Sequence, residues 1–164
     1  MLSSHRFRDS RHTKYHFVDQ VLVRCPKCTG IASVAPVPAA LVSGKASSSL
    51  FAPRRLVCRA CGLARHATAG LRLFRGTGEA VDPYFGLPLW LQAETRHGWV
   101  WAYNPAHLDL IRQFVQAPLR ERPPWDSKGR KMTVVARLPT WIKSAKNRAE
   151  VLRAIERIRS SLVN

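Results

Sequence analysis

The cysteine pattern constrains this chain more than any other feature. All four cysteines of the 164-residue sequence fall in two Cys-x-x-Cys pairs. Each such turn presents two sulfurs from one tight loop, and two turns supply the four thiolates of a tetrahedral structural zinc site. Gly30 and Gly62 closely follow the two pairs and permit the positive φ that such a turn needs. The spacing therefore predicts a zinc site with the ligands Cys25, Cys28, Cys58 and Cys61.

Other uses of paired cysteines fit less well. Disulfides suit secreted proteins, whereas a redox Cys-x-x-Cys normally occurs once, before a helix in a βαβ unit. An iron site is chemically possible. A zinc deaminase needs a His-x-Glu and a proline directly before its Cys-x-x-Cys, but here Pro26 follows Cys25. Four thiolates leave no open position on the metal, so the site is expected to support folding and not catalysis.

Charge is the strongest compositional signal. The chain carries 27 Lys and Arg against 10 Asp and Glu, a formal net charge of +17. The excess is concentrated in 54–76 and 119–164, on either side of the near-neutral segment 77–118. Such an imbalance indicates either a solvated, solubilising surface or a footprint for a polyanion, with nucleic acid first and the ribosome or an anionic membrane next.

The sequence indicates a soluble, cytoplasmic protein with no membrane partner. No stretch reaches the roughly 18 consecutive apolar residues that a membrane span requires. The first six residues lack the apolar segment of a secretory signal. An organellar transit peptide is the alternative, but Asp9, Asp19 and the lack of an amphipathic run argue against it.

Hydrophobic patterning predicts four segments. Residues 1–16 are polar and basic, which predicts a mobile arm with a solvated, histidine-bearing surface. Residues 17–80 form the predicted zinc ribbon, with strands before and after each cysteine pair. A Pro-, Ala- and Ser-rich stretch at 35–53 predicts a flexible loop within the ribbon.

The third predicted segment, 81–122, contains a β-hairpin and a helix. Strands are expected within 82–92 and 99–103, joined by a turn at 95–98. Asn104 is placed as an N-cap with Pro105 at the first helical position, and apolar residues recur at helical spacing until Pro118. Trp99 and Trp101 share one face of the second strand. They are either core residues or a surface on which bases can stack.

The fourth segment, 123–164, reads as a basic linker followed by an amphipathic helix. Asn147 and Glu150 match a capping box, and the helical apolar spacing begins at Val151. The predicted fold class is therefore α+β: an antiparallel zinc ribbon, extended by a β-hairpin and packed with two or three α-helices.

Three further motifs accompany the cysteine pairs. They are Asp82-Pro83-Tyr84-Phe85-Gly86-Leu87-Pro88-Leu89-Trp90-Leu91, then Trp101-Ala102-Tyr103-Asn104 with His107-Leu108-Asp109, and Arg137-Leu138-Pro139 with Trp141-Ile142-Lys143-Ser144-Ala145-Lys146-Asn147-Arg148. Over most of its length the chain resembles an uncharacterised bacterial group described as TFIIB-type zinc-ribbon-containing proteins. The resemblance implies a zinc-binding module, and the habits of zinc ribbons suggest nucleic-acid binding.

Three functions follow as hypotheses. The first is a non-enzymatic protein that grips the phosphates of DNA or RNA. Its predicted contact residues are Arg54, Arg55, Arg59, Arg65, Lys143, Lys146, Arg148, Arg153 and Arg157. The second is an adaptor, associated with the ribosome, replication or transcription, that binds a protein partner through 82–118.

The third is a metal-dependent nuclease, since His97, Asn104 and His107 fall on a strand and helix arrangement reminiscent of an HNH site. Two observations argue against it. The spacing of the two histidines is unusual for such a site, and Asn104 already has a structural use as a cap.

Overall fold

The computed structural model describes residues 6–38, 50–67, 71, 78–120 and 132–163. Its strands are β1 (Arg6–Phe7), β2 (Val21–Arg24), β3 (Ile31–Pro36), β4 (Arg54–Val57), β5 (Ala64–Ala67), β6 (Gln92–Thr95), β7 (Gly98–Trp101) and β8 (Leu119–Arg120). Its helices are α1 (Pro105–Gln116), α2 (Val134–Arg137), α3 (Thr140–Lys143) and α4 (Arg148–Ser160), with 3-10 turns at Lys14–Phe17 and Ala145–Asn147. Most of the predicted loop, at 39–49, and the predicted linker, at 121–131, lie outside the described residues.

A four-stranded antiparallel sheet forms the ribbon. Its strand order is β2-β3-β4-β5, so each strand pairs with its neighbours in sequence. Val21, Val34 and Leu56 lie opposite one another across three strands and are fully buried. This row is one face of the pleat, which turns its β-branched and leucine side chains to the core. The predicted antiparallel ribbon is confirmed.

The hairpin begins later than the sequence pattern predicts. Residues 82–86 form turns, and the first strand of the hairpin is β6. The cause is the buried carboxylate of Asp82, which accepts hydrogen bonds from the backbone amides of Tyr84, Phe85 and Leu87 at 2.6–2.9 Å. A carboxylate that binds three backbone amides of the following turn holds the chain out of an extended strand.

Helix α1 confirms its predicted start and end. The Asn104 side chain accepts a hydrogen bond from the His107 backbone amide at 2.9 Å, and Pro105 occupies the first turn. The helix ends at Gln116, before Pro118. Its apolar face is buried, so the periodicity in the sequence marks the side that packs on the core.

Helix α4 packs on α1 and on β6 through its buried face, which confirms the predicted amphipathic C-terminal helix. The predicted capping box is wrong, because no side chain caps the start of this helix. The Asn147 side-chain amide instead donates to the carbonyl of Trp141 at 3.0 Å. Asn147 is the last residue of a 3-10 turn that leads directly into α4, and its side chain is used within that segment and not as a cap.

Backbone hydrogen bonds join the ribbon to the second layer, which consists of the hairpin, α1 and α4. The edge strand β2 donates from Leu22 to the carbonyl of Tyr103 and accepts from the amide of Trp90. The buried guanidinium of Arg54 donates to the Val18 carbonyl, shortly before β2, and to the Tyr84 hydroxyl, in the turn that precedes the hairpin. The two layers therefore share one hydrophobic core, and the fold class is α+β as predicted.

The N-terminal segment contacts the second layer from residue 6 onward. Strand β1 pairs in parallel with β8, and the Phe7 ring packs edge-on against Phe114 with centroids 5.3 Å apart. The predicted division into four segments, including a mobile arm over 1–16, stays a prediction. Among the described helices, none combines the length and apolar character that a bilayer span requires.

Candidate metal centre

Two backbone turns of the same kind carry the four cysteines. In the first, the Cys25 amide donates to the Gly30 carbonyl at 2.8 Å and the Thr29 amide donates to the Cys25 carbonyl at 2.9 Å. In the second, Cys58 and Gly62 repeat these bonds, both at 2.9 Å. Each turn follows directly on a strand of the sheet, β2 or β4, so the sheet register positions the two turns side by side.

The two turns differ in the residue that adopts a positive φ. Gly62 has a φ of 72°, as predicted for the second turn. In the first turn the positive φ of 63° belongs to Thr29, and the prediction for Gly30 is wrong. A Cβ at Gly30 would lie 3.4 Å from the Cys28 Sγ, which is close to ordinary van der Waals contact. The first turn therefore takes its positive φ at Thr29 and not at its glycine.

The four sulfurs lie together. The Sγ atoms of Cys25 and Cys61 are 3.6 Å apart, those of Cys28 and Cys58 are 3.5 Å apart, and all four lie within 4.8 Å of one another. A tetrahedral ion with metal–sulfur distances of ~2.3 Å separates its sulfurs by ~3.8 Å. Disulfide bonds require ~2.05 Å, and all four cysteines are free. The four cysteines therefore form a group that can hold a metal ion.

The thiols influence one another electrostatically. Burial raises the pKa of Cys25, but hydrogen bonds from backbone amides and neighbouring thiols outweigh burial and lower this pKa to about 6. The Gly30 amide lowers the pKa of Cys28, but the other thiols and burial outweigh it and raise this pKa to about 12. One thiol of the cluster ionises easily and thereby opposes ionisation of another. A divalent cation removes that conflict, because it favours thiolates over thiols.

The three residues of the nuclease hypothesis do not form an open site. The Asn104 side chain accepts from the His107 amide and donates to the carbonyls of Phe17 and Gln20, so it is fully used. His107 is 3% exposed, and burial lowers its pKa to about 3. His97 lies in the hairpin turn, 3.5 Å from Glu150. Across the described residues, the cysteine cluster is the one group with three or more potential metal ligands.

Arg54 does not belong to the exposed basic surface that the sequence predicts for the ribbon. It is 1% exposed, and its guanidinium stacks 4.0 Å from the Tyr84 ring centroid. Burial lowers the pKa of Arg54. Arg54 is buried because it occupies the core-facing side of β4, in the same pleat alternation that buries Leu56.

The other predicted ribbon arginines are exposed. Arg59 lies inside the second cysteine turn. Arg55 pairs with His66 across β4 and β5, and Arg65 pairs with Leu56 on the opposite face. Strand β5 is an edge of the sheet, so cations on both faces meet at one edge. Lys27 lies between the first two cysteines and is also exposed. It is absent from the predicted contact residues, although its position within the cysteine motif could have identified it.

The predicted basic residues near α4 fall into two groups. Three of them donate to backbone carbonyls: Lys143 to Ala136 at 2.6 Å, Arg148 to Ala117 at 3.5 Å and Arg157 to Glu94 at 3.1 Å. The other two, Lys146 and Arg153, are exposed. The exposed face of α4 also carries carboxylates, since Glu156 lies 3.3 Å from both Arg112 and Arg159. Charge on this helix is therefore partly neutralised.

No protein-family model, curated protein or solved structure matches this chain. The site is therefore interpreted from its own geometry.

Proposed function

We propose that this chain is a non-enzymatic zinc-ribbon protein that binds nucleic acid through the edge and the cysteine turns of its ribbon. The observation that carries the proposal is the charge of the ribbon. From residue 20 to residue 78 the chain contains nine Lys and Arg and no Asp or Glu. A surface with one sign of charge attracts a polyanion and releases its counterions on binding.

Zinc is the metal that the donor set favours. Four thiolates at the corners of a tetrahedron suit Zn²⁺, which has no geometric preference of its own and no redox chemistry. An iron site with the same four sulfurs is the alternative. The metal would bring β2 and β4 together through their cysteine turns and would thereby organise the cations beside them.

The exposed ribbon cations form the proposed contact surface. Its members are Lys27, Arg55, Arg59 and Arg65. None of them forms an ion pair with a carboxylate in the described part of the chain, in contrast to Arg96, Arg112 and Arg159 of the second layer. A two-stranded ribbon fits the major groove of a duplex, and β4 and β5 are the two antiparallel strands at the edge that carries Arg55 and Arg65.

An adaptor function through 82–118 has less support. Much of that segment is buried beneath α4 or against β2, including Leu89, Leu91 and Val100. A pull-down whose partner is lost with Trp101→Ala, while affinity for nucleic acid is unchanged, would favour the adaptor.

A salt series of nucleic-acid binding tests the proposal. Labelled DNA and RNA of mixed sequence are titrated with metal-loaded protein, and fluorescence anisotropy gives the dissociation constant at each salt concentration. Four phosphate contacts predict a slope of log K against log salt of about −3 to −4. The double variant Arg55→Gln/Arg59→Gln is expected to reduce the magnitude of this slope by about 2.

A matched control separates this surface from bulk charge. Arg96→Gln/Arg159→Gln removes the same charge from arginines that already have carboxylate partners. Its slope should equal that of the unaltered protein. Equal effects of the two double variants, or binding that does not depend on salt, would show that the ribbon is not the binding surface.

Metal content is the second test. Mass spectrometry of the purified protein should find one zinc per chain, and a chelator should unfold the ribbon. Iron in place of zinc would change the cofactor but not the cysteine site. A fully folded protein with four free thiols and no metal would refute the zinc ribbon.

A further inference from the structure

A cleft of about 330 Å³ opens beside the hairpin, away from the cysteine cluster. Its walls come from the 3-10 turn at Lys14–Phe17, from β7 and from residues 134–142. Sites that bind small molecules measure about 300–1,000 Å³. The cleft therefore has room for one small planar ligand.

Aromatic side chains form one wall of the cleft. Trp99 and Trp101 are two residues apart on β7, so they share a face, and Tyr15 lies with them in the lining. Trp101 packs inward, with its ring centroid 5.2 Å from that of Tyr103. Trp99 makes no ring contact or hydrogen bond through its indole with any residue that the structure describes. A half-exposed indole without a partner offers a surface on which a planar ring can stack.

Two cations border the same cleft, and among the residues that the structure describes no Asp or Glu lines it. Lys14 Nζ lies 5.4 Å from the Tyr15 ring centroid, so the cationic and aromatic walls adjoin. Burial lowers the pKa of Lys14, and the charge of Arg137 lowers it further. Neither cation forms an ion pair with a carboxylate of the described ranges. Two neighbouring like charges without a counter-ion attract an anion.

The floor of the cleft is neutral. His107 lies there, and because burial lowers its pKa to about 3 it carries no charge at neutral pH. Ile111 and Ile142 complete an apolar base. The ligand that fits is therefore a planar ring over an apolar floor, with a negative group at the Lys14 and Arg137 side.

We infer that this cleft binds one nucleotide unit, with its base stacked on Trp99 and its phosphate against Lys14 and Arg137. Where the nucleotide is part of a strand, the inference rests on the proposed function and deepens it. The inference predicts that the protein prefers unpaired bases, because the bases of a duplex stack on one another and are not free to stack on a side chain. A free mononucleotide offers the same chemistry.

The experiment compares three probes on the metal-loaded protein. They are adenosine monophosphate, a single-stranded oligonucleotide of about twelve nucleotides and the matching duplex. Tryptophan fluorescence reports stacking, and anisotropy reports binding of the two oligonucleotides. Trp99→Ala and Lys14→Gln are each expected to weaken single-strand binding by about tenfold and to leave duplex binding unchanged. Trp99→Phe should restore part of the loss, and Arg159→Gln, which removes an exposed cation outside the cleft, should change neither affinity.

The possible results separate this inference from the proposed function. If the cleft variants bind the single strand as tightly as the unaltered protein while Arg55→Gln/Arg59→Gln weakens binding, the cleft inference is overturned and the ribbon function stands. If neither oligonucleotide binds but adenosine monophosphate quenches the fluorescence and Trp99→Ala abolishes the quenching, the ribbon function is overturned and the cleft is a site for a free nucleotide. Binding of none of the three probes overturns both.

Discussion

The ribbon and the second layer differ in how they are stabilised and in how their charges are balanced. The ribbon is a sheet that carries its cysteine cluster at one end, whereas the second layer packs α1 and α4 over a hairpin. Residues 20–78 contain no carboxylate, whereas 79–163 contain eight carboxylates among fourteen cations. We expect the ribbon to depend on a bound metal for its stability, and the helical layer to depend on it less. This contrast in charge is the reason why we propose the ribbon, and not the second layer, as the surface that binds a polyanion.

The largest expected effect comes from removing the metal. Cys58→Ser, or a chelator, should unfold the ribbon, since structural zinc contributes on the order of 10 kcal/mol to small domains. Hydrogen exchange should become fast over 21–36 and 54–67, with smaller changes in α1 and α4. Ser33→Ala, a half-buried position on β3 that is not a ligand, is the control and should leave exchange and metal content unchanged. Equal loss of protection in α1 and α4 would mean that the two layers unfold as one unit.

Arg54 joins β4 to the segments that precede β2 and the hairpin, and its removal is expected to have the next largest effect. Arg54→Ala leaves the Val18 carbonyl and the Tyr84 hydroxyl without their donor and opens a cavity beside the Tyr84 ring. Denaturant unfolding of metal-loaded protein should show a loss of about 3 kcal/mol.

The neighbouring arginine provides a matched control. Arg55 is exposed on the other face of the same strand, so Arg55→Ala should change the unfolding free energy by less than about 0.5 kcal/mol. Similar losses for the two variants would place Arg54 outside the core and weaken the link between the layers.

Acid should destabilise the second layer through His107. This histidine is neutral in the folded protein with a pKa of about 3, whereas in the unfolded chain it takes up a proton near its ordinary pKa of 6.5. The unfolded state therefore binds more protons between these values, and stability falls by about 1.4 kcal/mol for each pH unit below 6.5. Between pH 6.5 and 5 the loss is about 2 kcal/mol, measured by urea unfolding.

The variant His107→Gln does not titrate and should flatten this part of the pH profile. His66→Gln, the same substitution at an exposed histidine of β5, serves as its control. Thiolates also take up protons in acid, but all three proteins share the same cysteines. A profile for His107→Gln with the original slope would assign the acid sensitivity to the cysteine site instead.

The smallest expected effects come from substitutions in the two cysteine turns. Gly62→Ala should cost about 1 kcal/mol, because its φ of 72° is unfavourable for a residue with a Cβ and nothing else lies within 4 Å. Thr29→Gly should stabilise the first turn by a similar amount, since a β-branched residue there holds a φ of 63°. Thermal unfolding with bound metal measures both changes. A gain from Gly62→Ala would contradict the strain argument.

Local features of the chain were predictable. The cysteine turns, the Asn104 cap and the helical period of α4 depend on residues that are close in sequence, and the structure confirms each of them. Two of the failed predictions share one cause. Asp82 stops a predicted strand, and Asn147 turns away from its predicted cap, because each finds better hydrogen-bond partners than the pattern assumed.

By itself, the amino-acid sequence determined the ligand set, the sign of the charge and the α+β class. Ligand spacing, composition and periodicity are properties of the chain that do not depend on how distant segments meet. Only the tertiary structure decided that Arg54 is buried while Arg55 next to it is exposed, and that Trp99 faces a cleft with Lys14 and Arg137. Burial and charge neighbours are set by segments far apart in sequence, and these come together only when the core forms.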